Sequence, residues 1–311
     1  MKRDLLSVLD IEDDMDEILD LASKLKSGRA GSSDNLRGKT LAMIFEKPST
    51  RTRVSFEVGM AQLGGHALYL SPKDTQMGRG ETVSDTAKVL SGYVDGIMYR
   101  AFSHETMVEL AQSASVSVIN GLDDLEHPCQ IVADLLTVRE QKGGFRGVKM
   151  AYLGDGNNVC NSLLLGAAVV GMDFVAACPK EHFPDAAIVK KALEIATRKN
   201  CSSKVVASPT EAAKGADVIY TDVWISMGQE SEAGKKEKLF IPYQVNSSLL
   251  KLAKKDCIVM HCLPAHRGLE ITADVIDGEH SVVFDQAENR LHAQKAIMLR
   301  LMGQGRSSAS R

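Results

Sequence analysis

The stretch "TLAMIFEKPSTRTRVSFE", Thr40–Glu57, decides the fold. After Thr40, residues Leu41–Phe45 form a continuous apolar run bounded by Pro48, the signature of a strand buried on both faces. Ser49 and Thr50 then stand where a hydroxyl caps a helix, and a helix-forming segment follows. A strand that turns directly into a helix is the building unit of a parallel sheet, because parallel strands need a crossover. The same alternation continues along the chain, with strands expected at "HALYL", "GIMYR" and "VSVIN" in the first half. In the second half they are expected at "VKMAYLGD", "DFVAAC", "KVVAS", "DVIYTD", "CIVMHCLP" and "SVVFDQ". The fold class is α/β: two domains, each a mostly parallel sheet flanked by helices.

A chain of 311 residues is long for one hydrophobic core, which favours two domains of ordinary size. Between the two sets of strands lies "CQIVADLLTVREQKGG", a helical segment ended by Gly143 and Gly144. Residues 1–143 are therefore expected to form the first domain and 144–285 the second. Residues 286–311 hold a last helix, "AENRLHAQKAIMLRLMG", expected to pack back on the first domain, and a fraying end.

Apolar residues make up 44% and charged residues 25%, ordinary globular values that exclude a disordered or fibrous chain. A net charge of −3 speaks against broad attraction to nucleic acid or an anionic membrane. The N-terminus turns acidic too early for a signal peptide, and no window approaches a membrane span, so the cytosol is the expected compartment. Six cysteines lie scattered with no C-x-x-C pair, which suits reduced core thiols rather than a disulfide or zinc framework.

In open parallel sheets ligands bind beyond the carboxyl ends of strands, so the residues after each strand carry the chemistry. Ser49-Thr50-Arg51-Thr52 opens a helix, where unpaired N–H groups, hydroxyls and an arginine make a phosphate-sized anion site. Taken alone, the peptide reads equally as a plain cap with solvated arginines. Arg51 and Arg53 are about 200° apart around a helix, so they cannot both enter one pocket. Glu57 at i+4 suggests a surface pair for Arg53 and leaves Arg51 for a ligand.

Arg100 ends "MYR", and His127, Pro128, Cys129 and Gln130 stand just before or at another helix start. Proline fixes the backbone there, while His127 and Gln130 offer donors to a carbonyl or phosphate oxygen. The polar loop "SPKDTQMGRGET" can cover or complete a site. Further on, "YLGDGNNVCNS" resembles a dinucleotide turn but lacks the third glycine of G-x-G-x-x-G, which weakens a nicotinamide reading. Its Asn157 and Asn158 offer amides to a polar substrate instead. Asp222, in "TDVWISMGQE", is placed to pair with an ammonium group or simply to cap a helix, and Ser226 and Met227 follow it. His261 and Cys262 end a strand without the further ligands a metal site needs. Arg290, read on its own peptide, is an exposed helical arginine.

Together these peptides resemble the ornithine carbamoyltransferases, within the wider aspartate and ornithine carbamoyltransferase family. The matching segments are "FEKPSTRTRVSFE", "QMGRGE", "MYR", "HPCQ", "GDGNN", "DVWISMG", "HCLPAHRG" and "AENRLHAQKA", in family order from about residue 40 to 300. The first is shared by the whole family, and the last four favour the ornithine branch. The resemblance implies a carbamoyl-phosphate domain, then an ornithine domain, and a homotrimer, or a higher assembly built on it, with active sites at subunit boundaries. It implies that Ser49, Thr50, Arg51 and Thr52 hold the phosphate of carbamoyl phosphate. Arg100, His127 and Gln130, with Pro128 and Cys129 of the same motif, hold its phosphate or carbonyl side, and Gln76 arrives from a neighbouring subunit. Asn158, Asp222, Ser226 and Met227 match ornithine-binding positions, with Asp222 toward the α-amino group. Cys262 and Leu263 stand at the junction of the two substrates, and Arg290 is the remaining carbamoyl-phosphate contact. Arg51, Arg100, His127 and Cys262 are the residues expected at the chemistry.

The implied reaction is attack of the ornithine δ-amine on the carbamoyl carbon, giving citrulline and phosphate in arginine biosynthesis, or the reverse in arginine breakdown. No metal or organic cofactor is needed for it. Relatives act on putrescine, N-acetylornithine or aspartate; Asp222 beside the S-M-G segment argues for a free amino acid. Two other readings stand beside this one: a dehydrogenase with a degenerate nucleotide turn, and an anion-binding regulatory module that binds carbamoyl phosphate without turnover.

Overall fold

A computed structural model of the chain describes residues 2–28, 34–71, 75–77, 80–225 and 233–303. They divide into two compact units, Met1–Leu136 with Glu288–Arg311, and Thr137–Ala287. The chain thus leaves the first unit within one helix and re-enters it within another.

In the first unit the strands are β1 (Thr40–Phe45), β2 (His66–Leu70), β3 (Gly96–Arg100) and β4 (Ser117–Leu122). Helix α1 (Met15–Lys26) precedes them, and α2 (Thr50–Gln62), α3 (Val83–Ser91) and α4 (His104–Ser113) connect them. Helix α5 (Pro128–Lys142) follows β4. The strands pair in parallel in the order β2-β1-β3-β4. Because the order reverses between β1 and β3, the carboxyl ends of these two strands flank the crevice where such sheets bind ligands. Their central residues, from Ala42 and Ile97 outward, are fully buried, as continuous apolar runs demand.

In the second unit the strands are β5 (Lys149–Leu153), β6 (Asp173–Ala177), β7 (Ser203–Val206), β8 (Val218–Thr221) and β9 (Ile258–His261). The helices are α6 (Asn158–Val170), α7 (Ala186–Lys199), α8 (Pro209–Ala213), α9 (Ala233–Phe240), α10 (Ser247–Leu250) and α11 (Ala273–Ile276). The order β7-β6-β5-β8-β9 is again wholly parallel, and it reverses between β5 and β8. Helix α6 shows how local sequence sets an element. Asn157 caps its start by accepting from the N–H groups of Val159 and Cys160, and Gly171 ends it at φ 73°, a left-handed turn that glycine takes without strain.

The last helix, α12 (Val283–Met302), differs from expectation at its start. "SVVFDQ" is not a strand: Ser281 forms a single bridge to Val259, and the helix begins at Val283. A short apolar run carries no period that separates strand from helix, and here the helical residues downstream extend back over it. Within the first unit α12 packs back as expected. Lys26 Nζ donates to Asn289 Oδ1 at 2.8 Å, Lys295 Nζ donates to Gln62 Oε1 at 2.8 Å, and Arg300 pairs with Asp14. Gly59 of α2 makes the contact close, because a Cβ there would lie 2.8 Å from Met298 Cε. Among the described residues no helix is long and apolar enough to cross a membrane.

Candidate active site

In the first unit, Ser49 caps α2. Its backbone is extended, and its Oγ accepts from the Thr52 N–H at 3.3 Å and donates to Thr52 Oγ1 at 3.1 Å. The first-turn amides beside it carry the partial positive charge of a helix start, and Thr50 is exposed there. Arg53 points elsewhere: its Nε donates to Glu57 Oε1 at 2.9 Å and its guanidinium lies 3.8 Å over the Tyr69 ring. Arg51, half-buried, is left on the other face.

His127 is the residue on which the cationic groups converge. Burial first, then the charges of Arg290, Arg100 and Arg51, hold its imidazole well below the ordinary 6.5, so it stays neutral and keeps one N–H to donate. Arg100 is buried at the end of β3, where its carbonyl accepts from the Glu46 N–H at 2.9 Å. Glu46 in turn fixes the segment after β3, accepting from Tyr99 Oη at 2.7 Å and from the Phe102 N–H at 2.6 Å.

Arg290 is not an exposed helical arginine but a buried one, 3% exposed. Its Nη2 donates to Thr52 Oγ1 at 3.2 Å and its Nη1 donates to Gln130 Oε1. Gln294, with its amide turned to suit both neighbours, accepts from Arg290 at 2.9 and 3.2 Å and donates to Ser55. Gln130 passes the chain on, its Nε2 donating to the buried Asp134 Oδ1 at 2.8 Å. Pro128 opens α5 at the position where a missing N–H costs nothing. Burial pushes the Cys129 thiol up to about 12, and its Sγ donates to the Asn120 carbonyl at 3.3 Å. Only the backbone of Cys129 is left for a ligand.

The structure therefore brings Ser49, Arg51, Thr52, Arg100, His127, Gln130 and Arg290 into one polar set at the β1/β3 reversal, with Ser49 and Arg51 partly exposed and the others buried. Gln76 is exposed on its loop, and no described contact joins it to them.

The second unit holds a different set, at its own β5/β8 reversal. Asp222, 6% exposed, is clamped on both oxygens: Asn157 Nδ2 donates to Oδ2 at 2.8 Å, and Cys262 Sγ donates to Oδ1 at 2.9 Å. Asn157, the cap of α6, is thus an amide bonded to Asp222, and Asn158 is the first residue of α6. After Cys262, Leu263 takes φ +59°, and its N–H donates to His261 Nδ1 at 2.8 Å. His261 Nε2, which then bears the proton, lies 3.1 Å from Glu270 Oε1. Ser226 and Met227 lie outside the described residues.

Among the described residues, ligand atoms of Asp222, His261 and Cys262 come within 4.8 Å of one another. The trio does not suit a metal, because both ring nitrogens of His261 are already engaged, by Leu263 and Glu270. The dinucleotide reading fares no better. In that fold the second glycine lets the backbone approach a pyrophosphate. Here a Cβ on Gly156 would meet Pro184 N at 2.4 Å and His182 O at 2.5 Å, so the glycine admits the protein's own chain instead.

Sequence reasoning missed several residues. Glu46 and Asp155 stood inside quoted segments but carried no recognisable role. Glu270, fully buried, and Lys236, 6% exposed, gave no signal at all: Lys236 sits in a charged run that reads as a solvated face.

The comparisons with known proteins fit this division. Residues 3–140 match the model for the carbamoyl-P binding domain of aspartate/ornithine carbamoyltransferase, and residues 146–301 match that for its Asp/Orn binding domain. The chain is 60% identical over 299 residues to an ornithine carbamoyltransferase of Methanothermobacter thermautotrophicus, covering 96% of this chain and 98% of that one. It is 58% identical over 301 residues to a catabolic ornithine carbamoyltransferase of Thermoplasma volcanium, covering 97% and 99%. The solved structure of ornithine carbamoyltransferase from Pyrococcus furiosus superposes with a TM-score of 0.95 at 53% identity, covering 98% of each chain. With two family models covering almost all of its length, the chain belongs to the aspartate/ornithine carbamoyltransferase family.

Proposed function

We propose that the chain transfers the carbamoyl group of carbamoyl phosphate to the δ-amine of L-ornithine, giving L-citrulline and phosphate, or runs the same reaction in reverse. The observation that carries this reading is the set of three arginines gathered around a neutral His127 beside the start of α2. Such a set suits a small dianion with a carbonyl attached.

In this reading Ser49, Thr50, Arg51 and Thr52 hold the phosphate, with Arg290 fixing Thr52 and Gln130. Arg100, His127 and Gln130 hold the phosphate or carbonyl side of carbamoyl phosphate, and Pro128 and Cys129 contribute backbone at the α5 start. The neutral δ-amine attacks the carbamoyl carbon, a C–N bond forms, negative charge gathers on the carbonyl oxygen, and the C–O bond to phosphate breaks. Donors fixed in advance in buried surroundings stabilise that charge more than water would. The amine also loses a proton, for which the departing phosphate is a suitable base. Asp222 receives the α-ammonium of ornithine; Asn158, Ser226 and Met227 complete the recognition of the amino acid. Cys262 and Leu263 line the place where the substrates meet, with Cys262 as a neutral thiol and not a nucleophile.

A homotrimer with Gln76 donated by a neighbouring subunit belongs to the same proposal, tested by molar mass in solution and by mixing Q76A with R51A chains. Two inactive variants that regain activity on mixing support shared sites. Six free thiols suit a reducing compartment, and we place the reaction in the cytosol. Incubation of the protein with carbamoyl phosphate and each of ornithine, aspartate and putrescine tests the acceptor. Turnover of another acceptor without citrulline would refute the ornithine assignment, and citrulline with phosphate as starting materials reads the reverse direction.

A further inference from the structure

Lys236 is a buried lysine on α9 whose Nζ donates to Asp155 Oδ2 at 2.8 Å. It also lies 3.4 Å from the carbonyl oxygen of Trp224, the third residue after β8. The carboxylate of Asp155 is shared, with His182 Nδ1 3.2 Å from Oδ1. Asp155 belongs to the turn after β5, and that turn is fixed at every residue. Tyr152 Oη donates to the Asp155 carbonyl at 2.7 Å, the Gly156 N–H donates to the His182 carbonyl at 3.0 Å, and Asn157 caps α6. The last residue of the turn is the one that reaches Asp222.

A buried ion pair is a poor source of stability, since taking two charges out of water offsets most of their attraction. What such a pair does well is specify one geometry. Here it ties three separate segments together: the β5 turn, the segment leaving β8, and α9. The turn it fixes aims the amide on which Asp222 rests.

We propose that Lys236 is a positioning residue for the amino-acid acceptor: by holding the Asp155 carboxylate it sets the Gly154–Asn157 turn, and through Asn157 it sets the carboxylate of Asp222. This rests on the carbamoyl-transfer reading above. Lys236 acts through the Asp155 carboxylate and the Trp224 carbonyl, so its effect falls on the amino-acid acceptor and not on carbamoyl phosphate.

The test compares K236M, K236R and the double variant K236M/D155L with the unmodified protein. K236M is expected to raise the KM for ornithine roughly 10- to 100-fold, the scale of a misaimed binding group, while the KM for carbamoyl phosphate stays within about twofold. K236R, which keeps the charge, recovers most of the loss. The double variant has no unpaired buried charge and regains the melting temperature, yet keeps the raised ornithine KM. Should K236M fail to fold, the double variant alone carries the comparison. Equal changes in both KM values, or an ornithine KM restored together with stability in the double variant, would overturn the positioning role. Absence of citrulline from the unmodified protein would overturn the carbamoyl-transfer reading itself, a result distinct from an active protein whose ornithine KM ignores Lys236.

Discussion

Arg290 Nη2 donates to Thr52 Oγ1 at 3.2 Å across 238 residues of sequence, joining α12 to the first turn of α2 within one unit. The last helix is therefore joined to the first turn of α2 and to α5, and is not only a structural strap. The Arg290 guanidinium holds three polar side chains in place, those of Thr52, Gln130 and Gln294.

Replacing Arg290 by Met should weaken both the fold and carbamoyl-phosphate binding. The buried acceptors on Thr52 and Gln130 lose a charged donor, at a cost of about 2–4 kcal/mol. Urea unfolding and the KM for carbamoyl phosphate check the two effects, and an unchanged KM would remove Arg290 from the site.

Arg51 and Arg53 should part company under mutation. Arg51→Ala is expected to lower kcat about 100- to 1,000-fold, the scale of losing one oxyanion donor, with unfolding unchanged. Arg53→Ala removes a pair that is 46% and 35% exposed and a stacking contact on Tyr69, together about 1 kcal/mol or less before solvent screening, and should leave turnover near normal. Steady-state kinetics on the two variants distinguishes them.

Two histidines give opposite pH dependences. His127 is held neutral, its folded pKa below 6.5, so its contribution to stability is present above 6.5 and is lost as pH falls toward the depressed folded value. His104 is raised by its hydrogen bond to the buried Asp123, at 2.7 Å, so its contribution is complete below 6.5 and is lost as pH rises through the folded value. Urea midpoints of H104Q should therefore approach the unmodified protein's at about pH 8 and fall below them at about pH 6. No acid limb of the rate profile near neutrality should respond to His127.

Gly156→Ala should open the turn after β5. Its new methyl would lie 2.4 Å from Pro184 N and 2.6 Å from Phe183 C, both backbone, so the chain itself must shift, costing about 1–3 kcal/mol. A raised ornithine KM with little change for carbamoyl phosphate is the expected kinetic result.

Much of this architecture was legible in the sequence because strands buried on both faces announce themselves: "TLAMIF" and "GIMYR" became β1 and β3 without change of limits. The same property misled at "SVVFDQ", where an apolar run without period belonged to the start of α12. Strand ends also pointed to Ser49, Arg51, Arg100 and Asp222, which the structure sets at the carboxyl ends of the two sheets. Long-range partners stayed hidden. Nothing in "AENRL" says that Arg290 is buried against Thr52, and nothing in "GKKEK" marks Lys236 as the lysine that turns inward to Asp155. Burial of a charge depends on where a distant segment ends, which one local peptide does not encode. Of the adjacent amides Asn157 and Asn158, the sequence did not say which would cap α6 and bond Asp222, a part that Asn157 takes.

Citrulline formation from carbamoyl phosphate and ornithine, followed with the unmodified protein and with R51A, tests carbamoyl transfer most directly. The expected result is citrulline and phosphate in equal amounts from the unmodified protein, and a rate lower by about two to three orders of magnitude from a fully folded R51A. Carbamoyl-phosphate binding without citrulline, or an R51A protein as fast as the unmodified one, would contradict it.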